Sequence, residues 1–484
     1  MKSEALFTDE ESIELDKLSI NEGGTPSQLL MGFAAVSIFQ TWKTKFKKTG
    51  GALFLCGSGN NGGDGFALAH FLSAEGVPCR VFYKEGNLSE ETLFYRNLCV
   101  SSGAKLYPLQ EFHSQSWNDS EIVVDSLLGT GFSPPLSDEL ERVASEIRIL
   151  KEKLGSDCFV LSIDMHSGFH PDAHAPFPID GLAEIGSHKL TNLFHSDLEV
   201  EKTFHPIGFL RHKFSTNQRV WSKASRKELK KRMQRERGSH KYSNGSALFL
   251  GGSEGMAGAI LSSTLSFHEM GGGISLVLTP SASTIQKMLK KESSLMVKLF
   301  ASDQNPFLGS FAGKAKVFAI GPGLSPEDCP TSLLPEKVPV ILDAGAILPY
   351  SVTKLGPNVL LTPHVGEWSR VTGKKYAGFL DAWQDAKEWA IERNCHILLK
   401  GSVSVLCTPK EGSFFWPYQE PKLAVMGTGD LLVGMLAFFL SRGHDMIEAV
   451  RLALSLFVSS AEMSDGYPSA GRIRKNIRKV ISHG

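Results

Sequence analysis

The chain has 484 residues, 42% hydrophobic and 21% charged, an ordinary globular composition with enough apolar mass for more than one core. Lys plus Arg equals Asp plus Glu at 51 each, which argues against the basic excess of a nucleic-acid binder. A small phosphorylated ligand remains open, because backbone N–H groups bind such ligands as well as lysines do.

The opening residues, Met1 to Asp16, are acidic and lack an apolar core stretch, so neither a signal nor a transit peptide is expected. Ser12 to Thr41 predicts one or two helices. Ala52–Cys56 reads as a buried strand, Phe66–Ala74 as a helix, and Val77–Tyr83, Ile122–Asp125 and Phe159–Asp164 as further strands. Strands separated by helices imply an α/β fold with a Rossmann-like, doubly wound parallel sheet. Lys223–Lys241 carries nine Lys/Arg against two Glu and reads as a solvated helix and linker; a polyanion-binding patch is the alternative. Beyond it, Ala247–Leu250, Gly273–Leu278, Val317–Ile320, Val338–Leu342, Val359–Leu361 and Ile397–Leu399 read as strands, with helices at Ala257–Met270 and Leu431–Ser441. This is a second α/β sandwich. The expected division is 1–222, a basic linker at 223–237, and 238–484.

Two features bear on location. The longest apolar run, Leu431–Leu440, has ten residues, so no membrane span is expected. The seven cysteines are scattered without C-x-x-C, which favours reduced thiols, a cytoplasmic enzyme and no structural zinc. Enzymes of this architecture often form symmetric homo-oligomers, and one is expected here.

In the first half, Cys56-Gly57-Ser58-Gly59-Asn60-Asn61-Gly62-Gly63-Asp64-Gly65 follows a strand and opens a helix. Its glycines suit close approach to a phosphate or pyrophosphate; a plain tight turn is the alternative. Asp125 and Asp164 end two other strands, where ligands bind in open parallel sheets. Asn61, Asp125 and Ser167 would then converge as oxygen ligands for a hard cation, with Asp164 left for acid–base work. Helix capping or a turn would also explain either Asp.

These motifs carry a resemblance. Residues 10–222 resemble the N-terminal domain of the NAD(P)H-hydrate epimerase family through NNGGDG at 60–65, VVDSLLGTGFSPP at 123–135 and IDMHSG at 163–168. The resemblance implies interconversion of the R and S hydrates of NADH or NADPH, with potassium bound by Asn61, Asp125 and Ser167. It implies substrate loops at Asn60, Asn61, Gly62, Gly63 and Asp64 and at Gly129, Thr130, Gly131, Phe132, Ser133, Pro134 and Pro135, with Asp164 as the substrate-binding acid. The chain departs from the family at His166, where Pro is usual, and at Thr203–Gly208, where the family's Lys is missing.

In the second half, Gly427-Thr428-Gly429-Asp430 opens an apolar helix. Its N–H groups and the helix dipole favour a phosphoryl group. An Asp there would repel phosphate, but makes sense as a general base; an ordinary N-cap is the alternative. Lys400 ends a strand and suits a phosphate as a point charge. His364, at another strand end, could donate to a ligand or lie buried and satisfied. Residues 238–484 resemble the ADP-dependent NAD(P)H-hydrate dehydratases, whose fold is ribokinase-like. The matching segments are HKYSNGSALFLGGSEGMAGA, IGPGL, ILDAGAIL, LLTPHVGEWSR, ILLKGSVSV and LAVMGTGDLLVGM. The resemblance implies that Ala259, Gly323, His364 and Asp430 contact the hydrated nicotinamide. It assigns Lys400, Gly401, Ser402, Val403, Ser404 and Gly429 to the adenine nucleotide, with Mg²⁺ accompanying ADP. ILDAGAIL keeps Asp343 and has Gly345 where a second Asp is usual.

The expected protein is a fused repair enzyme that epimerises hydrated NAD(P)H and dehydrates the S form with ADP, releasing AMP and phosphate. The alternative is a vitamin or sugar kinase whose first domain only binds a ligand.

Overall fold

Gly51–Cys56 and Glu121–Ser126 are buried at every position, as strands covered on both faces must be. The structure is a computed structural model that describes residues 2–117, 121–132, 135–196, 199–330, 332–352, 355–410 and 412–482. The chain divides into two compact units, Ala5–Asn217 and Met1–Glu4 with Gln218–Gly484.

In the first unit seven parallel strands run in the order Lys105–Pro108, Cys79–Tyr83, Gly51–Cys56, Glu121–Ser126, Phe159–Ile163, Gly181–Ile185, Glu201–His205. The helix Ser27–Lys48 and the helix Asn60–Ala74 cover one face through Ile38, Phe39, Trp42, Phe66 and Leu68. Helix Asp138–Leu154 covers the other through Leu140, Val143, Ile147 and Leu150. The strand order reverses between Gly51–Cys56 and Glu121–Ser126, so the loops leaving these strands diverge and open a crevice.

The second unit holds an eleven-stranded sheet, whose central run is Met296–Leu299, Ile274–Thr279, Ser246–Leu250, Val317–Ile320, Val340–Leu342, Val359–Leu361, His396–Leu399, all parallel. Its reversal falls between Ser246–Leu250 and Val317–Ile320. An antiparallel hairpin, Ser404–Thr408 with Gly412–Trp416, extends the sheet and is followed by Gln218–Trp221 and the outer strand Ser3–Leu6. The apolar helix Thr428–Ser441 lies inside the core, flanked by the helices Ala257–Glu269 and Met446–Glu462. Among the described residues no helix is long and apolar enough to cross a membrane.

Two expectations need correction, and one element escaped the sequence reading. The helix expected at Phe66 begins at Asn60, because Gly62 closes against Gly57 O, where a Cβ would come within 2.0 Å. The basic segment is not all solvated: Arg226–Met233 is a helix whose Leu229 and Met233, four apart on one face, are buried in the core. The hairpin was not foreseen, since its apolar residues carry no period that distinguishes a strand from a buried helix.

Gly434 marks the tightest helix crossing. A Cβ there would lie 1.9 Å from Ser266 Oγ and 2.1 Å from Ser263 O on the neighbouring helix. Gly434→Ala is expected to destabilise this unit by about 3 kcal/mol, measured by urea unfolding.

Candidate active sites

The crevice of the first unit is a cavity of about 690 Å³. It lies at the N-terminus of the helix Asn60–Ala74, where free N–H groups and the dipole favour an anionic ligand. Asn60, Asn61, Asp64, Gly129, Thr130, Gly131, Phe132 and Asp164 line it. Gly62, Gly63 and Pro135 do not; Gly63 instead packs against Thr92 and Met31. Ser133 and Pro134 lie outside the described residues.

Asn61, Asp125 and Ser167 do come together. Asp125 is fully buried and accepts from Ser162 Oγ (2.7 Å), Ser167 Oγ (2.5 Å) and Ser167 N (3.0 Å). Burial pushes its carboxyl up, against the pull of those hydrogen bonds. Ser167 Oγ also accepts from Leu128 N at 2.9 Å, and Asn61 Nδ2 donates to Leu128 O at 2.6 Å. Asn61 Oδ1 is buried without a hydrogen-bond partner. An orphaned amide oxygen, a dehydrated carboxylate and a hydroxyl form a donor set that fits a hard cation.

Asp164 adopts φ +63°, a left-handed conformation that a non-glycine residue holds only when its surroundings fix it. Its Oδ1 accepts from Lys189 Nζ at 2.6 Å and from Ile185 N at 3.0 Å, and its carbonyl accepts from Asn192 Nδ2 at 3.0 Å. Lys189 is 3% exposed and also donates to Ile185 O at 2.8 Å. The lysine sought near Ile207 is therefore supplied one strand earlier, from the loop after Gly181–Ile185. Thr203-Phe204 directed attention to the wrong strand; the signal was Lys189 itself, close behind an apolar run. Asp64 is half-buried here, and desolvation with the nearby Asp164 and Asp16 raises its carboxyl well above the usual range.

His166 does not face a ligand in this arrangement. It is 2% exposed, both ring nitrogens lack partners, and it packs on Phe177, Phe169 and His195. Burial holds it well below the normal histidine range, so it acts as a neutral core residue.

In the second unit the two loops at the strand reversal are joined: Ser253 N donates to Gly323 O at 2.8 Å and Gly252 N to Pro322 O at 3.0 Å. Gly323 has φ +62°, and a Cβ on it would lie 2.9 Å from that of Ala259. Ser263, one turn beyond Ala259, donates to Asp430 O at 2.8 Å. These contacts bring Ala259, Gly323 and Asp430 to one place.

Asp430 sits in the first turn of Thr428–Ser441, whose N-cap Gly427 has φ +90°. Burial, then Asp343, pushes its carboxyl up to about 6, with Lys400 pulling the other way. Lys400 Nζ bonds Asp343 Oδ1 at 3.2 Å, and Thr362 Oγ1 donates to the same oxygen at 2.6 Å. Burial opposes the Lys400 charge, but Asp343 and Glu367 outweigh it and raise its pKa. A Cβ on Gly429 would lie 3.6 Å from Lys400 Nζ, so glycine leaves room between the ammonium and the helix N-terminus. Asp343 and Glu367 escaped the sequence reading as members of this cluster, because only the parallel strands set them beside Lys400. Gly345, at the position of the family's second Asp, lies against Leu324 O, where a Cβ would come within 1.8 Å.

His364 is exposed rather than buried. It caps the helix Val365–Thr372, with Nδ1 accepting from Glu367 N at 3.2 Å, which leaves Nε2 as the donor in the neutral ring. Gly401 and Ser402 are exposed in the turn between His396–Leu399 and Ser404–Thr408, Val403 is buried, and Ser404 Oγ bonds Gly401 at 3.3 Å. Thr428 Oγ1 holds the preceding loop through Leu423 O and Val425 O.

Comparison with known proteins gives the class. Residues 27–181 match the family described as YjeF-related protein N-terminus, and residues 247–470 match the NAD(P)H-hydrate dehydratase family. The chain thus joins a YjeF-related domain to a dehydratase-type domain. It is similar to the bifunctional NAD(P)H-hydrate repair enzyme Nnr of Thermofilum pendens, with 28% identity over 91% of this chain and 88% of that one. The enzyme of the same name from Dictyoglomus turgidum is 26% identical over 98% of this chain and 97% of that one. A Bacillus subtilis ADP/ATP-dependent NAD(P)H-hydrate dehydratase structure, co-crystallised with ATP and Mg²⁺, is 28% identical over 54% of this chain and 97% of that one, with a TM-score of 0.45. The chain carries both matched domains and is similar, over most of its length, to enzymes named bifunctional NAD(P)H-hydrate repair enzyme.

The histidine cluster predicts a pH dependence of stability. Burial, then Lys202, pushes His195 down to about 3. An unfolded histidine titrates near ~6.5, so the unfolded chain binds the extra proton between these values. The contribution is fully present above pH ~6.5 and is lost as pH falls toward 3. Protection factors for amide exchange in Phe159–Ile163 and Gly181–Ile185 are expected to fall on acidification from pH ~7 to ~5, and His195→Phe to weaken that dependence.

Proposed function

We propose that the two sites act in sequence on hydrated NADH and NADPH, in the cytoplasm. Seven free, buried cysteines suit that reducing compartment. The observation that carries the reading is the raised carboxyl of Asp430 at a helix N-terminus beside Lys400. A phosphate-binding turn has no use for a carboxylate, but phosphorylation of a hydroxyl needs a base.

In the second unit Asp430 takes the proton of the substrate's ring hydroxyl, and the hydroxyl oxygen attacks the terminal phosphoryl of ADP. The amides at 427–429 and Lys400 stabilise the negative charge on the transferring group. AMP leaves. Loss of phosphate from one ring carbon and of a proton from its neighbour restores the double bond. Ala259, Gly323 and His364 hold the nicotinamide part, and Lys400–Ser404 with Gly429 hold the nucleotide. Mg²⁺ accompanying ADP would neutralise charge on its phosphates.

In the first unit the N-terminus of Asn60–Ala74 and the Gly129–Phe132 loop hold the substrate's phosphates, and Asp164, fixed by Lys189, faces the ring. Potassium held by Asn61, Asp125 and Ser167 would supply a fixed positive charge that orders both loops. The unit converts the R hydrate to the S hydrate that the second unit consumes.

The test uses the full chain with separated R and S hydrates. Absorbance of the reduced nicotinamide should return with S hydrate and ADP, and with R hydrate only through prior epimerisation. No recovery from S hydrate with ADP would sink the reading. Asp430→Asn is expected to lower kcat/KM for the S hydrate about 1,000-fold. In the wild type, kcat/KM should fall as pH drops through about 6, where the base takes a proton. Exchange of potassium for lithium should slow R-to-S conversion at least about tenfold and leave S dehydration unchanged.

A further inference from the structure

The first cavity has a wall that no motif announced. Helix Asp9–Asn21 presents Ser12, Ile13, Asp16, Lys17 and Ile20 to it, the spacing of one helical face. The helix is fixed across the cavity rim. Thr8 and Glu11 form a capping box, Ser12 Oγ bonds Ser187 Oγ at 3.0 Å, and Thr191 Oγ1 donates to Asp9 Oδ1 at 3.2 Å. Ser187 and Lys189 belong to the loop that holds Asp164, so this anchoring sets Asp16, one turn beyond Ser12, toward the Asp164–Lys189 pair.

Hydrated NAD(P)H carries its hydroxyl on the ring carbon bonded to nitrogen, because water adds to the polarised end of an enamine. Losing and regaining the hydroxyl inverts that carbon, and the hydroxyl leaves only when protonated. The site therefore needs an acid besides Asp164, whose Oδ1 is already engaged by Lys189 Nζ at 2.6 Å.

We propose that Asp16 is this acid, a catalytic residue that protonates the leaving hydroxyl of the hydrated nicotinamide. The proposal rests on the epimerase reading of the first unit. The Asp16 carboxyl gives its proton to the hydroxyl oxygen; the C–O bond breaks, its electron pair leaves with water, and the nitrogen lone pair forms a C=N⁺ bond. Asp164 faces this cation. Water then adds to the other face, the C=N⁺ electrons return to nitrogen, and the proton released by the water goes back to the Asp16 carboxylate. Burial, then Asp164, raises the Asp16 carboxyl above its ordinary value; Lys189 opposes this and Glu91 adds to it. Each of these carboxylates favours the protonated form that the step needs.

The experiment is R-to-S conversion by the full chain, above the uncatalysed rate, with dehydration of S hydrate as an internal control. Asp16→Asn should lower kcat for conversion at least about 100-fold, leave KM within about threefold, and leave S dehydration unchanged. Asp16→Glu, which keeps the carboxyl, should recover at least about tenfold over Asp16→Asn. The wild-type rate should fall as pH rises through the Asp16 pKa, and the residual rate of Asp16→Asn should lack that limb. An Asp16→Asn chain within about threefold of wild type overturns the proposal. So does a loss confined to KM, or an Asp16→Glu chain no better than Asp16→Asn. A wild-type chain that leaves R hydrate unconverted overturns instead the epimerase reading beneath it.

Discussion

In each unit one lysine faces several buried carboxylates, and the chemistry follows from that imbalance. Lys189 serves Asp164 while Asp16 and Asp64 stand near it; Lys400 serves Asp343 while Asp430 and Glu367 stand near it. Asp16, Asp64 and Asp430 are pushed up by burial and by neighbouring carboxylates. Two kinds of carboxyl thus arise in one cavity, one suited to face developing positive charge and one suited to move a proton. Adding a second lysine to either site would remove the difference.

The sheets make this imbalance tolerable. Both units place their polar groups at the carboxyl ends of parallel strands, beside the reversal of strand order, where the loops part and solvent enters. Behind those ends the strands are buried on both faces, and a charge there would have no compensation. Backbone contacts then fix the loops: Gly57 against Leu127 and Gly62 against Gly57 in the first unit, Ser253 with Gly323 in the second. Most of the conspicuous glycines serve this packing. The cradle itself is built from helix N-termini.

The proposed reading explains why the two chemistries share a chain. The ring hydroxyl that one site must expel and readmit is the group that the other must phosphorylate. One reaction is indifferent to hand and the other selects it, so the first removes the limit set by the second.

The sequence by itself determined the two α/β units, the strands that carry the loops, and the loops that carry the chemistry, because buried strands and glycine-rich turns are local signals. NNGGDG, IDMHSG and TPHVGEW each name a strand end, and GTGD a helix start, without reference to the rest of the chain. Tertiary structure alone decided which side chains share a cavity. Asp16 lies on an unremarkable helix, Lys189 follows a strand that the Thr203-Phe204 signal passed over, and Asp343 reaches Lys400 only through the neighbouring parallel strands. It also decided that His166 is core and His364 is exposed, since burial belongs to the packed sheet and not to the residue. Charge states followed last, because a carboxyl is shifted by the water it loses and the charges it meets, and both come from segments distant in sequence.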